Sequence, residues 1–163
     1  MQEHIQNELA SFIANCDWEK IAPHFKEDAA YRVLDWIGCA VAGEHYPQVE
    51  IAQKYFIENG DQGNSTVIGH QTKCSPRTAA FLNGIAGHVC ELDDGHRTAI
   101  GHPGSIAVPT ALALGEHLNA SGADVLKAVI LGYEVFSRLG RTVNPSHYRT
   151  WHTTGTCGTV APA

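Results

Sequence analysis

"SGADVLKAVILGYEVFSRLG", residues 121–140, decides the fold class. Its apolar residues Val125, Leu126, Val129, Ile130, Tyr133 and Phe136 recur at the spacing of one helical face. Ser121 stands before the run as an N-cap. Asp124 takes the third position, where a carboxylate suits the positive end of the helix dipole.

Helical periodicity continues outward in both directions. Ile5, Leu9, Phe12, Ile13 and Cys16 share a face of a first helix. Pro23 sits where a second helix can begin, and Ala29, Val33, Trp36, Ile37, Ala40 and Val41 follow it as far as Gly43. A third helix follows Pro47, carries Ile51, Ala52, Tyr55 and Phe56, and stops at Asn59-Gly60. Ser75-Pro76 caps a helix through Ala79, Leu82, Asn83, Ala86 and Val89, whose many small residues point to close approach of a neighbour. Another helix runs from near Ser105 or Pro109 to Leu118. Only "STVIG", residues 65–69, looks extended, as a small hairpin or loop. The fold class expected is all-α, with residues 1–163 as one helical domain. The C-terminal "WHTTGTCGTVAPA" opens a small-residue segment without a polar cap, so an incomplete N-terminal part of a longer enzyme is expected.

Composition narrows the function classes. The 163 residues carry a net charge of −6, which argues against nucleic acid as a partner. The five cysteines, at 16, 39, 74, 90 and 157, lack regular spacing and read as reduced thiols. The polar N-terminus lacks a signal-peptide core, and no apolar run reaches the ~18 residues that span a membrane. A soluble cytoplasmic chain is expected.

One short loop departs from this apolar background. "ELDDGHRTAIGH", residues 91–102, sets Glu91, Asp93, Asp94, His96 and His102 between two nearly uncharged helices, although charged residues are 17% of the chain. Clustered carboxylates raise one another's pKa values, whereas histidines beside them lower those values and rise themselves. Opposed shifts suit general acid and base chemistry. The alternatives are a solvated capping loop, or a divalent-metal site using Asp93, Asp94, His96 and His102. His96 and His102 are six apart, a poor ligand spacing, so no metal is expected.

The runs "AAYRVLDWIGCAVAG", "TAAFLNGIAGHVCELDDGHRTAIGHPGSIAVPTALALGE", "LGYEVFSRLG" and "HYRTWHTTGTCGT" resemble, in order, the N-terminal half of the MmgE/PrpD family. That family includes 2-methylcitrate dehydratase, cis-aconitate decarboxylase and an iminodisuccinate epimerase. The resemblance implies a helical domain completed by later segments, a homodimer, and an active site without a cofactor. It places the family's acidic motif on Glu91, Asp93 and Asp94, and its two histidines on His102 and His152. Gly95 stands where many relatives carry threonine, and the active-site lysines of the family fall beyond this chain.

The implied substrate is a small di- or tricarboxylate, with 2-methylcitrate-type dehydration expected first and decarboxylation or epimerisation as alternatives. All three pass through a carbanion or enediolate beside a carboxylate. His102 or His152 would move the proton at carbon, and Asp93 or Asp94 would orient the imidazole. Glu91, His96, Arg97 and Arg149 are the substrate-binding candidates, and Trp151 is a candidate pocket wall that packing explains as well. Tyr133 reads as structural. A non-catalytic helical module that needs a partner is the reading from another class.

Overall fold

The computed structural model describes residues 4–71 and 73–162. Residues 1–3 of the polar N-terminal stretch, and residue 163 at the end of the expected domain, lie outside them. Among the described residues the chain forms seven α-helices: α1 (Ile5–Ala14), α2 (Pro23–Gly43), α3 (Pro47–Glu58), α4 (Pro76–His88), α5 (Gly104–Leu118), α6 (Gly122–Val143) and α7 (Thr153–Cys157). Short 3-10 turns lie at Trp18–Lys20 and His147–Arg149. The fold is all-α apart from a two-stranded antiparallel pair, β1 (Ser65–Thr66) and β2 (Lys73–Cys74), in which Ser65 faces Cys74. β1 is the expected extended piece. β2 escapes sequence reading because two residues cannot establish a period.

Helix boundaries follow local chemistry. Ser75 Oγ accepts the Thr78 N–H at 3.3 Å, and Ser121 Oγ accepts the Asp124 N–H at 3.2 Å while donating to Asp124 Oδ2 at 2.7 Å. Each cap satisfies a backbone donor that the first helical turn leaves free. Pro109 lies inside α5 and Gly104 starts it, so Pro109 as a helix start is corrected. α1 also ends before Cys16; none of its residues is fully buried and Ile5 is 81% exposed, although Leu9 packs against the core cluster around Phe136.

The centre is a four-helix arrangement in which α4 packs on α2 and α5, and α5 and α2 pack on α6. Trp36 and Ala40 of α2, Val49 of α3, Ala86 of α4, Val108 of α5 and Val129 of α6 form one core cluster. Small residues let these helices approach closely, as the composition of α4 indicates. α6 buries Leu131 and Val135 as well as Val129 and Phe136, so its buried surface is broader than the single face read from spacing. Val135, Phe136, Ala99, Cys157 and Ala161 make a second cluster that seats the end of the chain beneath the loop joining α4 to α5. No disulfide forms among the described residues, and Cys39, Cys74 and Cys157 are buried thiols. No helix of the described residues is long and apolar enough to cross a membrane.

Candidate functional site

The loop between α4 and α5 is held at several points. Ala99 is fully buried, its carbonyl accepts Asn144 Nδ2 at 2.6 Å, and the His96 N–H donates to the Gly101 carbonyl at 2.8 Å. The His102 N–H donates to Thr154 Oγ1 at 3.0 Å, tying the loop to α7. Two non-glycine residues adopt positive φ here, Glu91 at 49° and Ile100 at 51°. For a β-branched residue such as Ile100 that is a strained backbone held by its surroundings.

The adjacent aspartates face different partners. Asp93, with a side chain 0% exposed, places its two oxygens 2.9 and 3.1 Å from His88 Nδ1. A carboxylate only accepts, so the His88 ring donates through Nδ1 and leaves Nε2 as its second site. Asp93 Oδ2 also lies 3.4 Å from His102 Nδ1, and the two rings stand 4.8 Å apart, centroid to centroid. The Asp93 hydrogen bond raises the His88 pKa; burial pulls it down, and the charges of Asp93 and Glu91 add to the rise. An imidazole lifted by a loop carboxylate was expected, but the ring belongs to α4 and not to the loop.

Asp94 turns the other way. Its Oδ2 accepts from Arg32 of α2 at 2.7 Å and its Oδ1 from the Tyr133 hydroxyl at 3.1 Å. Burial works against the Arg32 cation, yet the hydrogen bond and charge of Asp28 and the charge of Asp94 outweigh it and raise its pKa. Burial, helped by the Asp94 charge and hydrogen bond, pushes the Tyr133 phenol well above its ordinary range. Gly104 is required here: a Cβ would lie 2.5 Å from Asp94 Oδ1 and 2.6 Å from the Tyr133 hydroxyl. Tyr133 is the structural residue read from its helix face, and its hydroxyl also holds Asp94.

Two depressions meet at residues 95–97. A groove of ≈ 340 Å³ is lined by His102, His152, Tyr148, His96 and Arg97. A pocket of ≈ 550 Å³ on the other side takes in Arg32, Asp94 and Tyr133, with His96 and Arg97 again on its wall. The structure thus brings His102 and His152 to one groove, with Asp93 behind His102. His152 is exposed at the start of α7, and no hydrogen bond joins it to a carboxylate among the described residues. His96 accepts the Ala99 N–H on Nδ1 at 3.0 Å. Glu91, Arg149 and Trp151 are exposed and line neither depression; Trp151, 65% exposed, fits neither the pocket-wall nor the packing reading.

Sequence reading missed His88 and Arg32. His88 lies fourteen positions before His102, and only the turn after α4 folds it back onto Asp93. Arg32 is distant in sequence from Asp94 and is brought to it by the packing of α2. His88, Asp93 and His102 offer ligand atoms within 4.8 Å of one another, so a cation could also be held there. Ligand spacing in the sequence does not predict this trio, because His88 lies on α4 and meets the loop only in the folded chain.

The chain matches the MmgE/PrpD N-terminal domain over residues 7–163. It is 30% identical to the cis-aconitate decarboxylase-like protein oryM of Aspergillus oryzae, over 98% of this chain and 35% of that protein. It is 33% identical to the cis-aconitate decarboxylase of Aspergillus terreus, over 98% of this chain and 34% of the relative. The human cis-aconitate decarboxylase is 33% identical over 80% of this chain and 29% of its own length. The chain spans about a third of the length of these fungal relatives.

Proposed function

The chain belongs to the MmgE/PrpD family, and from that premise we propose that it is the N-terminal helical part of a lyase acting on a small polycarboxylate. Decarboxylation of cis-aconitate, the reaction its relatives are named for, is the leading reading. The observation that carries it is a fully buried carboxylate, Asp93, set behind His102 at the wall of a groove that His152 also lines. A buried carboxylate 3.4 Å behind Nδ1 favours the ring orientation that leaves Nε2 free to exchange a proton with a substrate carbon. When carbon dioxide leaves, the bonding electron pair remains on the substrate, and His102 or His152 returns a proton to carbon. Arg97 supplies positive charge at the groove for a substrate carboxylate. Asp94 is engaged by Arg32 and Tyr133, so Asp93 is the orienting aspartate.

Dehydration of the 2-methylcitrate type is the second reading. It is favoured by the two imidazoles of one groove, His102 and His152, because loss of water needs one group to remove a proton and another to protonate the leaving hydroxyl. Titrating the isotope-labelled chain with cis-aconitate, 2-methylcitrate and iminodisuccinate tests the site. Saturable shifts confined to residues 95–102 and 148–152 are expected. Shifts elsewhere, or none for any of the three acids, would remove the polycarboxylate reading and favour a non-catalytic module.

A further inference from the structure

Proton transfer at His102 needs one carboxylate behind the ring, yet Asp93 stands behind two rings. His88 Nδ1 reaches both of its oxygens, at 2.9 and 3.1 Å. His102 Nδ1 is left 3.4 Å from Oδ2, buried and without a hydrogen-bond partner among the described residues. A buried polar atom without a partner is uncommon and costly. The nearest remedy is the oxygen that His88 already holds.

We propose that His88 is a positioning residue: it competes with His102 for the one buried carboxylate, and a proton gained by His102 draws Asp93 toward that ring. The proposal rests on the reading of His102 as the proton-transfer group. Before His102 returns a proton to carbon it must first take one up from solvent, forming an N–H bond at Nε2 as a water or hydronium O–H bond breaks. Both nitrogens of the ring now donate. Asp93 Oδ2 then closes from 3.4 Å to the ~2.7–2.9 Å of a charge-assisted bond, a movement of about half an ångström. His88 loses part of its bond as His102 gains one. Without His88, Asp93 would close on His102 permanently and hold the ring's proton against return to carbon. Competition lets the same imidazole both take and give.

The groups facing this cluster come from three elements. His88 ends α4; Glu91 and Asp94 lie on the loop, Glu91 acting on His88 by charge and Asp94 being bound to Arg32. Cys39 of α2, a buried thiol raised by burial and then by the charges of Asp35, Asp93 and Asp94, is near enough to feel the Asp93 charge. Among these groups, His88 and His102 are the imidazoles placed against Asp93.

Imidazole nitrogen and proton resonances of the ¹⁵N-labelled chain, followed across pH, test the competition without substrate. In the unaltered chain the His102 signals are expected to move in two steps, one coinciding with the titration of His88. In His88→Gln the coincident step should vanish, and a downfield hydrogen-bonded Nδ1 proton should be gained on His102 at neutral pH. Asp93→Asn should abolish both features. A folded His88→Gln chain with unchanged His102 signals would overturn the proposal. If that variant does not fold, separate single steps for the two rings of the unaltered chain overturn it equally. Binding of polycarboxylates is read in a different titration, so failure of one reading leaves the other standing or falling by its own result.

Discussion

Asp93 ties its own burial to the protonation of a neighbour, and that gives the fold a pH dependence with a definite sign. His88 is raised above its ordinary value, first through its hydrogen bond to Asp93. A raised histidine contributes stability that is complete below its unfolded value, ~6.5, and is lost as pH rises through the folded value. Replacing Asp93 by Asn removes that contribution. The difference in urea midpoint between the unaltered chain and Asp93→Asn should be wider at about pH 6 than at about pH 8. Equal differences would mean that His88 is not charged against Asp93. Gly95 makes the contrary case, a residue whose side chain has room to grow. A Cβ there would meet no described atom within 4 Å, and its backbone is not left-handed. Gly95→Thr should change stability by no more than about 0.5 kcal/mol, while adding a hydroxyl beside the groove. One added neutral hydrogen bond, ~1 kcal/mol, corresponds to about fivefold tighter polycarboxylate binding. Paired thermal melts and ligand titrations measure both effects, and a lowered melting midpoint would show that the loop is less open than its geometry.

The loop joining α4 to α5 keeps its shape because α6 leaves a space for it. Gly140 of α6 lies against Ala99, so that a Cβ would be 2.7 Å from the Ala99 Cβ and 2.9 Å from its carbonyl oxygen. Gly140→Val should cost roughly 1–3 kcal/mol, as overpacking a tight contact does, and should shift loop resonances from His96 to His102. A denaturation midpoint equal to that of the unaltered chain would show that the loop is free to move away. What sequence could show of these elements follows physical range. Ser75-Pro76 and Ser121 mark helix starts because capping is settled within four residues. Pro109 misleads because its missing N–H, near a helix start, is tolerated inside α5. The motifs around Asp93 and His102 show that a site exists, and their spacing in the loop says nothing of His88 or Arg32. Those two arrive through the turn after α4 and the packing of α2 on α6, contacts made between elements. Tyr133 was legible as helical and half-apolar; its hydroxyl's partner, Asp94, belongs to tertiary structure.

At the scale of the whole molecule, charge limits what this chain can do alone. Its net charge is −6, and Arg32, the guanidinium nearest the aspartates, is already committed to Asp28 and Asp94. Arg97 remains at the groove, whereas Arg149 is exposed away from it. A di- or tricarboxylate entering here meets Arg97 as the one arginine or lysine among the described residues of the groove lining. The Asp93 carboxylate stands behind His102 and the chain around it is net negative, so the field is weakly attractive at best once screened by salt. Leu34, Ile51 and Phe81 are more than half exposed, which adds apolar surface suited to further protein packing. The 163-residue chain alone should therefore bind polycarboxylates weakly and associate at high concentration, without decarboxylase, dehydratase or epimerase turnover. Incubating purified chain with cis-aconitate, 2-methylcitrate and iminodisuccinate, and following products by chromatography, is the direct check. Turnover that disappears in His102→Ala would show that Arg97, His102 and His152 suffice by themselves. Turnover that survives that substitution would instead place the proton transfer on another group, with His152, across the same groove, the first to replace.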